Sequence, residues 1–394
     1  MKPLDDLRVL DLSRVLSGPY CTMVLADFGA DVIKIERPDG GDDTRAWVPP
    51  SMGDESVYFL SLNRNKRSLT VDLKTPEGKE IVHRLAKWAD VVVENFRPGT
   101  ADKLGVGYDA LSKLNPRLVY CAISGFGQTG PYRDKPGYDA VAQAMGGLMS
   151  VTGYPDLPPV RFGVSIADLG AAMWSLVGIL AALRVREETG RGQYVDTSLF
   201  EGQLAWLTYV AGNYFATGQN PERYGSAHPT IVPYQTFETQ DSDIMVAVGN
   251  DRLWQKFTVV LGLEELGNAP KYRTNQDREA HRDELIERLS EVFKTRAADE
   301  WLKRLSEAGV PVAPVKTVEE VVHDPHAKAR EMFVTVEHPT AGDLTLTGIP
   351  VKFSETPGAV ETPPPTLGQH SEEVLLELGY SPQQIAEFKR KGVL

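Results

Sequence analysis

Residues 8–36 run strand, helix, strand, and the pattern then repeats. Arg8-Val-Leu-Asp-Leu-Ser13 is a short apolar run with strand character, Tyr20–Phe28 has helical spacing and stops at Gly29, and Asp31-Val-Ile-Lys-Ile-Glu36 is a second strand. Two strands joined by one helix over so short a stretch form a βαβ unit, with parallel strands and a right-handed crossover. Ser68–Leu73, Asp90–Glu94 and Arg117–Ile123 read as further strands, and Pro76–Trp88 as a helix with proline in its first turn. Proline suits that position, because the N–H it lacks has no helical partner there. The chain is therefore expected to build an α/β domain whose sheet opens onto loops at one edge.

Downstream, Leu169–Glu188 is apolar almost all round as far as Leu183, the pattern of a buried helix, and Gly190-Arg-Gly192 ends it. Gln193–Ser198 reads as a strand, Leu199–Ala216 as a helix and Gly218–Pro229 as a linker. From Tyr234 the character changes. Tyr234–Glu238 and Ile244–Val248 suggest a hairpin, followed by helices near Asp251–Leu261, Asp277–Phe293 and Ala297–Ala308, a second domain. Val310–Val315, with two prolines, resembles an edge strand. Strands return at Phe333–Glu337 and Leu344–Pro350, and a short helix is expected at His370–Leu378.

Composition excludes several function classes. Hydrophobic residues make up 42% of the 394, enough for a sizeable core. The only cysteines, Cys21 and Cys121, cannot make a disulfide framework or a cysteine-rich metal site, and they point to a reducing setting, cytoplasmic or in an organelle matrix. No apolar run approaches the roughly 18 residues of a membrane span. A formal net charge of −12 argues against a general binder of nucleic acid or anionic membrane, though not against a local basic pocket.

Gly125-Phe-Gly-Gln-Thr-Gly130 has the spacing of a dinucleotide fingerprint, but Pro131 and a polar turn follow where a helix is required. The bland reading is a glycine loop that can approach a ligand closely. Basic residues gather at successive strand ends: Arg37 after the second, Arg64, Lys66, Arg67 and Lys74 around the third, Arg97 and Lys103 after the fourth. Singly these are surface charges. Together, in an acidic chain, they suit a polyanion such as a phosphorylated nucleotide. The seven histidines have no metal-ligand spacing, and no G-x-S-x-G elbow is present. Asp168 precedes the long apolar helix. On the residues alone it is an N-cap, stabilising by about 1 kcal/mol, or a carboxylate nucleophile at a helix start, and the two are compatible.

At this point the sequence resembles the class III CoA-transferases, the CaiB/BaiF family. The likeness rests on Leu4–Leu12, Leu25–Pro38, Asn63–Leu69, Val93–Gly99, Ala167–Gly170 and Thr189–Gln193, in order along the whole chain. It implies a Rossmann-like large domain (1–220 with 323–394) carrying an inserted small α+β domain (230–322), and two protomers interlocked as a homodimer. It further implies that Asp168 is the catalytic aspartate. Arg37, Lys74, Asn95, Phe96, Arg97, Lys103 and Tyr138 would contact CoA, and Gly249-Asn250 would belong to a loop closing over the intermediate. CoA is then substrate rather than bound cofactor, and no metal is needed. Relatives that are α-methylacyl-CoA racemases carry His-Asp where this chain has Tyr138-Asp139, and tyrosine, with a pKa near 10, replaces histidine poorly in proton transfer. Leu16 stands where formyl-CoA:oxalate transferases carry glutamine. Arg14-Val-Leu-Ser-Gly-Pro19 and Ser226–Phe237 look more like the succinyl-CoA:dicarboxylate branch, in which Arg14 or Arg45 would hold a distal carboxylate. The expected activity is thus CoA transfer from an acyl-CoA, succinyl-CoA by this likeness, to a dicarboxylic acid through an aspartyl anhydride and an aspartyl-CoA thioester. The alternatives are an acyl-CoA racemase and a non-catalytic CoA-binding protein.

Overall fold

A computed structural model describes residues 1–394. Its largest sheet has six parallel strands: β1 (Arg8–Asp11), β2 (Asp31–Glu36), β3 (Lys66–Thr70), β4 (Val91–Glu94), β5 (Val119–Ser124) and β6 (Tyr194–Ser198). Their order is β3-β2-β1-β4-β5-β6. The strand order reverses between β1 and β4, and ligands bind outside the carboxyl ends of strands at such a point.

Alternation along the strands builds a core on each face. Val9, Val32, Val91 and Val93 point to one side, packed under α1 (Ser17–Asp27) and the long helix Ile166–Thr189. Leu10, Ile33 and Val92 point to the other, against Ile81, Val82 and Leu85 of α2 (Pro76–Trp88). The C-terminal residues Val374, Leu375, Ile385 and Phe388 complete that second core.

Two compact units are formed. One comprises residues 1–148, 161–218 and 325–394, the other 149–160 and 219–324. In the second unit a three-stranded antiparallel sheet (Val312–Pro314, Asp243–Ala247, Tyr234–Glu238) packs with helices Asp251–Leu261, Arg282–Phe293 and Ala298–Glu307 around Trp254, Phe257, Phe293 and Trp301.

Several sequence expectations change. The helix expected near Asp277–Phe293 is two helices, Asn275–Ala280 and Arg282–Phe293. The helix expected over Leu199–Ala216 is two helices, Leu199–Trp206 and Thr208–Thr217, broken where Thr208 takes a positive φ of 35°. The helix Ile166–Thr189 is only half buried, and by length and composition it is one that could cross a membrane. The sequence pattern reads it as buried all round, yet Met173, Trp174, Val177 and Leu180 are exposed on the single chain.

Candidate active site

At the switch point the loop after β1 meets the turn after β4. The side chain of Asn95 brackets the backbone of Arg14: its Oδ1 accepts the Arg14 N–H (2.9 Å) and its Nδ2 donates to the Arg14 carbonyl (2.6 Å). The next residue, Val15, has φ 68°, and its N–H donates to Asp42 (3.2 Å). Lys34, fully buried, ties the loop after β1 to the segment after β2 by donating to the Ser13 carbonyl (2.8 Å) and pairing with Asp42 (2.9 Å). A strained backbone at a ligand edge is thus fixed from three sides before anything binds.

Two clefts open there. The larger, about 430 Å³, is lined among others by Arg14, Arg37, Lys74, Phe96 and Gly392. Asp43 pairs with both Arg14 (2.8 Å) and Arg37 (3.0 Å). The smaller, about 160 Å³, is lined among others by Arg14, Asn95, Arg97, Lys135, Tyr138 and Asp168. Of the expected site residues, Arg14, Arg37, Lys74, Asn95, Phe96, Arg97, Tyr138 and Asp168 therefore fall at one edge of the sheet.

Asp168 is not the cap of its helix. Ser165 holds the N-cap position of the helix α4 (Ile166–Thr189), which places Asp168 third in its first turn. Ser165 makes no side-chain capping bond to α4. The capping is done instead by Asp139, at the start of α3 (Asp139–Met145), whose Oδ1 accepts the Ala167 N–H (2.8 Å). Burial, and secondly the neighbouring Asp139 carboxylate, raise the Asp168 pKa to about 7. A helix N-terminus favours an ionised carboxylate by only about 0.3–1 kcal/mol, so burial wins. Asp168 is a carboxylate with no cation set against it, half charged near neutrality.

Tyr58, on the short helix Val57–Leu60, faces the same group. Its pKa is raised to about 12, first by burial and then by Asp168, with Ser165 working in the opposite direction. Residues 43–61 carry no periodic pattern, so nothing in the sequence singles out this phenol.

Other expected residues lie elsewhere. Arg45 is spent on Glu36 (2.7 and 2.8 Å) and lies over the Phe59 ring, lining neither cleft. Lys103 is exposed on the helix Thr100–Leu104 and also lines neither cleft. Gly249 and Asn250 belong to the second unit, where Asn250 caps the helix Asp251–Leu261 by accepting the Leu253 N–H (3.0 Å). Around the third strand the expected basic cluster dissolves into ion pairs. Arg64 binds Asp27 (2.7 Å), Lys66 binds Asp11 (3.1 Å), and Arg67 binds Asp31, Glu373 and Glu377. Only Lys74, beyond the carboxyl end of that strand, reaches a cleft.

A Rossmann-like sheet with arginine and lysine side chains and the buried Asp168 carboxylate in clefts at its switch point suits an enzyme acting on an anionic ligand. Residues 4–371 match the model of CoA-transferase family III. The chain belongs to this family and is an enzyme of its class. It is 42% identical over 395 residues to the human succinyl-CoA:glutarate CoA-transferase, covering 100% of this chain and 90% of that one. It is 40% identical over 395 residues to the succinyl-CoA–D-citramalate CoA-transferase of Chloroflexus aurantiacus, covering 100% and 98%. A crystal structure of a CaiB/BaiF family protein from Brucella suis superposes with a TM-score of 0.86 at 42% identity, covering 96% of this chain and 99% of that one.

Proposed function

We propose that this enzyme moves CoA from succinyl-CoA to a dicarboxylic acid, with Asp168 as the nucleophile. The carboxylate attacks the donor thioester carbonyl and expels CoA thiolate, leaving a mixed anhydride. The thiolate attacks the aspartyl carbonyl, releasing the donor acid and forming an aspartyl-CoA thioester. The acceptor carboxylate then attacks this thioester and expels the thiolate. Attack of the thiolate on the acceptor acyl carbon gives the new acyl-CoA and frees Asp168.

The observation that carries this reading is Asp168 itself, a carboxylate at the head of a core helix, in a cleft with Asn95, Arg97 and Tyr138, with its pKa near neutrality. A more basic carboxylate is a stronger nucleophile, and a partly dry site protects the anhydride from water. Arg37, Lys74 and Phe96 favour the larger cleft as the CoA nucleotide site. Arg14, half exposed between the clefts, suits the distal carboxylate of the acid.

Residues 230–322 would form a small domain inserted into the large one, with Gly249 and Asn250 on a loop closing over the intermediate. A homodimer would cover exposed apolar side chains such as Val177, Tyr209 and Phe215 (53%, 56% and 80% exposed). Its interlocking is part of this proposal.

The test is a panel of dicarboxylic acids, oxalate, glutarate, malate, citramalate and 13C-labelled succinate, offered with unlabelled succinyl-CoA, reading new or labelled acyl-CoA by mass. Preference for the four-carbon and five-carbon acids is expected. Equal activity across the panel, or preference for oxalate, would assign another branch of the family.

A further inference from the structure

Asp168 is presented by a short segment held at both ends by one buried relay. Asp139 Oδ1 accepts the Ala167 N–H (2.8 Å), and its Oδ2 accepts from Gln143 Nε2 (2.7 Å). Gln143 Oε1 in turn accepts the Phe162 N–H (2.8 Å). Asp139 is 8% exposed and Gln143 not at all. The two side chains, one turn apart on α3, thus clamp residues 162 and 167, and with them the approach to α4.

We infer that Asp139 and Gln143 are positioning residues for the transfer reaction, fixing where the Asp168 carboxylate stands and supplying the one like charge beside it. This rests on the reading of Asp168 as nucleophile and goes beyond it, because neither residue need touch substrate. The polarity of the relay explains the residue types. Both oxygens at 139 accept, which a carboxylate does and an amide cannot. The residue at 143 must donate at one end and accept at the other, which an amide does. An asparagine at 139 would set two donors face to face, or make Gln143 turn over and orphan the Phe162 N–H. Misplacement of a reacting group by about 1 Å can cost on the order of 100-fold in rate.

The charged and titratable groups lining this cleft are Arg14, Asp43, Arg97, Lys135 and Tyr138, with Tyr58 beside Asp168. Of the neighbouring charges, Asp139 alone acts on Asp168, and it does so in support of burial.

The experiment compares Asp139→Ala, Asp139→Asn and a double variant that combines Asp139→Asn with Gln143→Glu, using the full chain and succinyl-CoA. In the double variant the amide at 139 accepts the Ala167 N–H and donates to the carboxylate at 143, which accepts the Phe162 N–H. Every bond is restored, with the charge moved one turn away. The single variants should lose about 10-fold or more in kcat with KM for succinyl-CoA within about twofold, and the double variant should recover most of the loss. In all three the acidic midpoint of kcat/KM should move to lower pH, which a merely structural role would not produce. Asp168→Asn is the control. Loss of transfer in the control, with wild-type kcat and midpoint in Asp139→Ala, overturns this inference alone. Retained transfer in the control overturns the reading beneath it. Equal damage in Asp139→Asn and the double variant overturns the relay.

Discussion

A Cβ built on Gly125 would lie 2.7 Å from the Cα of Gly137, and one built on Gly137 would lie 2.5 Å from the Cα of Gly125. The glycine loop after β5 and the turn ahead of Tyr138 therefore press backbone to backbone, and this contact sets Tyr138 and α3 against the cleft. Gly137→Ala should force the two loops apart. Overpacking of this kind costs about 1–3 kcal/mol. The expected result is a lowered Tm together with a reduced kcat, measured on the same preparation.

The pH dependence follows from Asp168. Its pKa near 7 makes the nucleophilic, ionised form the minority below neutrality. The kcat/KM for acyl-CoA should rise with pH through about 7 and level off above it. A flat profile between pH 5 and 8 would mean that this carboxylate does not limit the reaction.

The same burial makes Asp168 a liability for stability. Its folded pKa of about 7 lies above the ordinary 3.8. Between those values the folded chain binds more protons than the unfolded one, so stability falls as pH rises across that window. Asp168→Asn should therefore be more stable than wild type at pH 8, by roughly 2–4 kcal/mol at most, and nearly equal to it at pH 4. Denaturant unfolding at the two pH values measures it.

Lys34 holds the strained Val15 loop through Asp42 and the Ser13 carbonyl. Burial works against its charge, but Asp42, Asp11 and Glu36 outweigh burial and raise its pKa. Lys34→Met would leave those carboxylates buried without their cation. Removing one partner of a buried pair typically costs about 3–5 kcal/mol. A loss of that size is expected, with a raised KM for acyl-CoA, since the loop lines both clefts.

Much of this is legible in the sequence where a pattern is local. Asp31–Glu36 and Pro76–Trp88 have the bounds that their apolar spacing and proline predict. What the sequence hides depends on distant partners. Arg67 looks like a free cation until Glu373 and Glu377 come from the far end of the chain to meet it. Arg45 is likewise removed from the site by Glu36, which a strand end brings beside it. Asp168 stands out in the sequence as a cap or a nucleophile at a helix start, and it does not hold the cap position. The cap of its helix is Asp139, which belongs to a separate helix, and that exchange cannot be read from helix-start signals on α4 alone. Tyr58 stays hidden because its helix spans only Val57–Leu60, too short for any period.

The central claim, that Asp168 carries the acyl group and then CoA, is tested most directly by trapping. The enzyme is mixed with succinyl-CoA alone, quenched with hydroxylamine and digested, and its peptides are read by mass spectrometry. The expected product is an aspartyl hydroxamate on Asp168, formed only when the acyl-CoA is present and absent from Asp168→Asn. A hydroxamate on another residue, or full transfer by Asp168→Asn with no adduct anywhere, would contradict it.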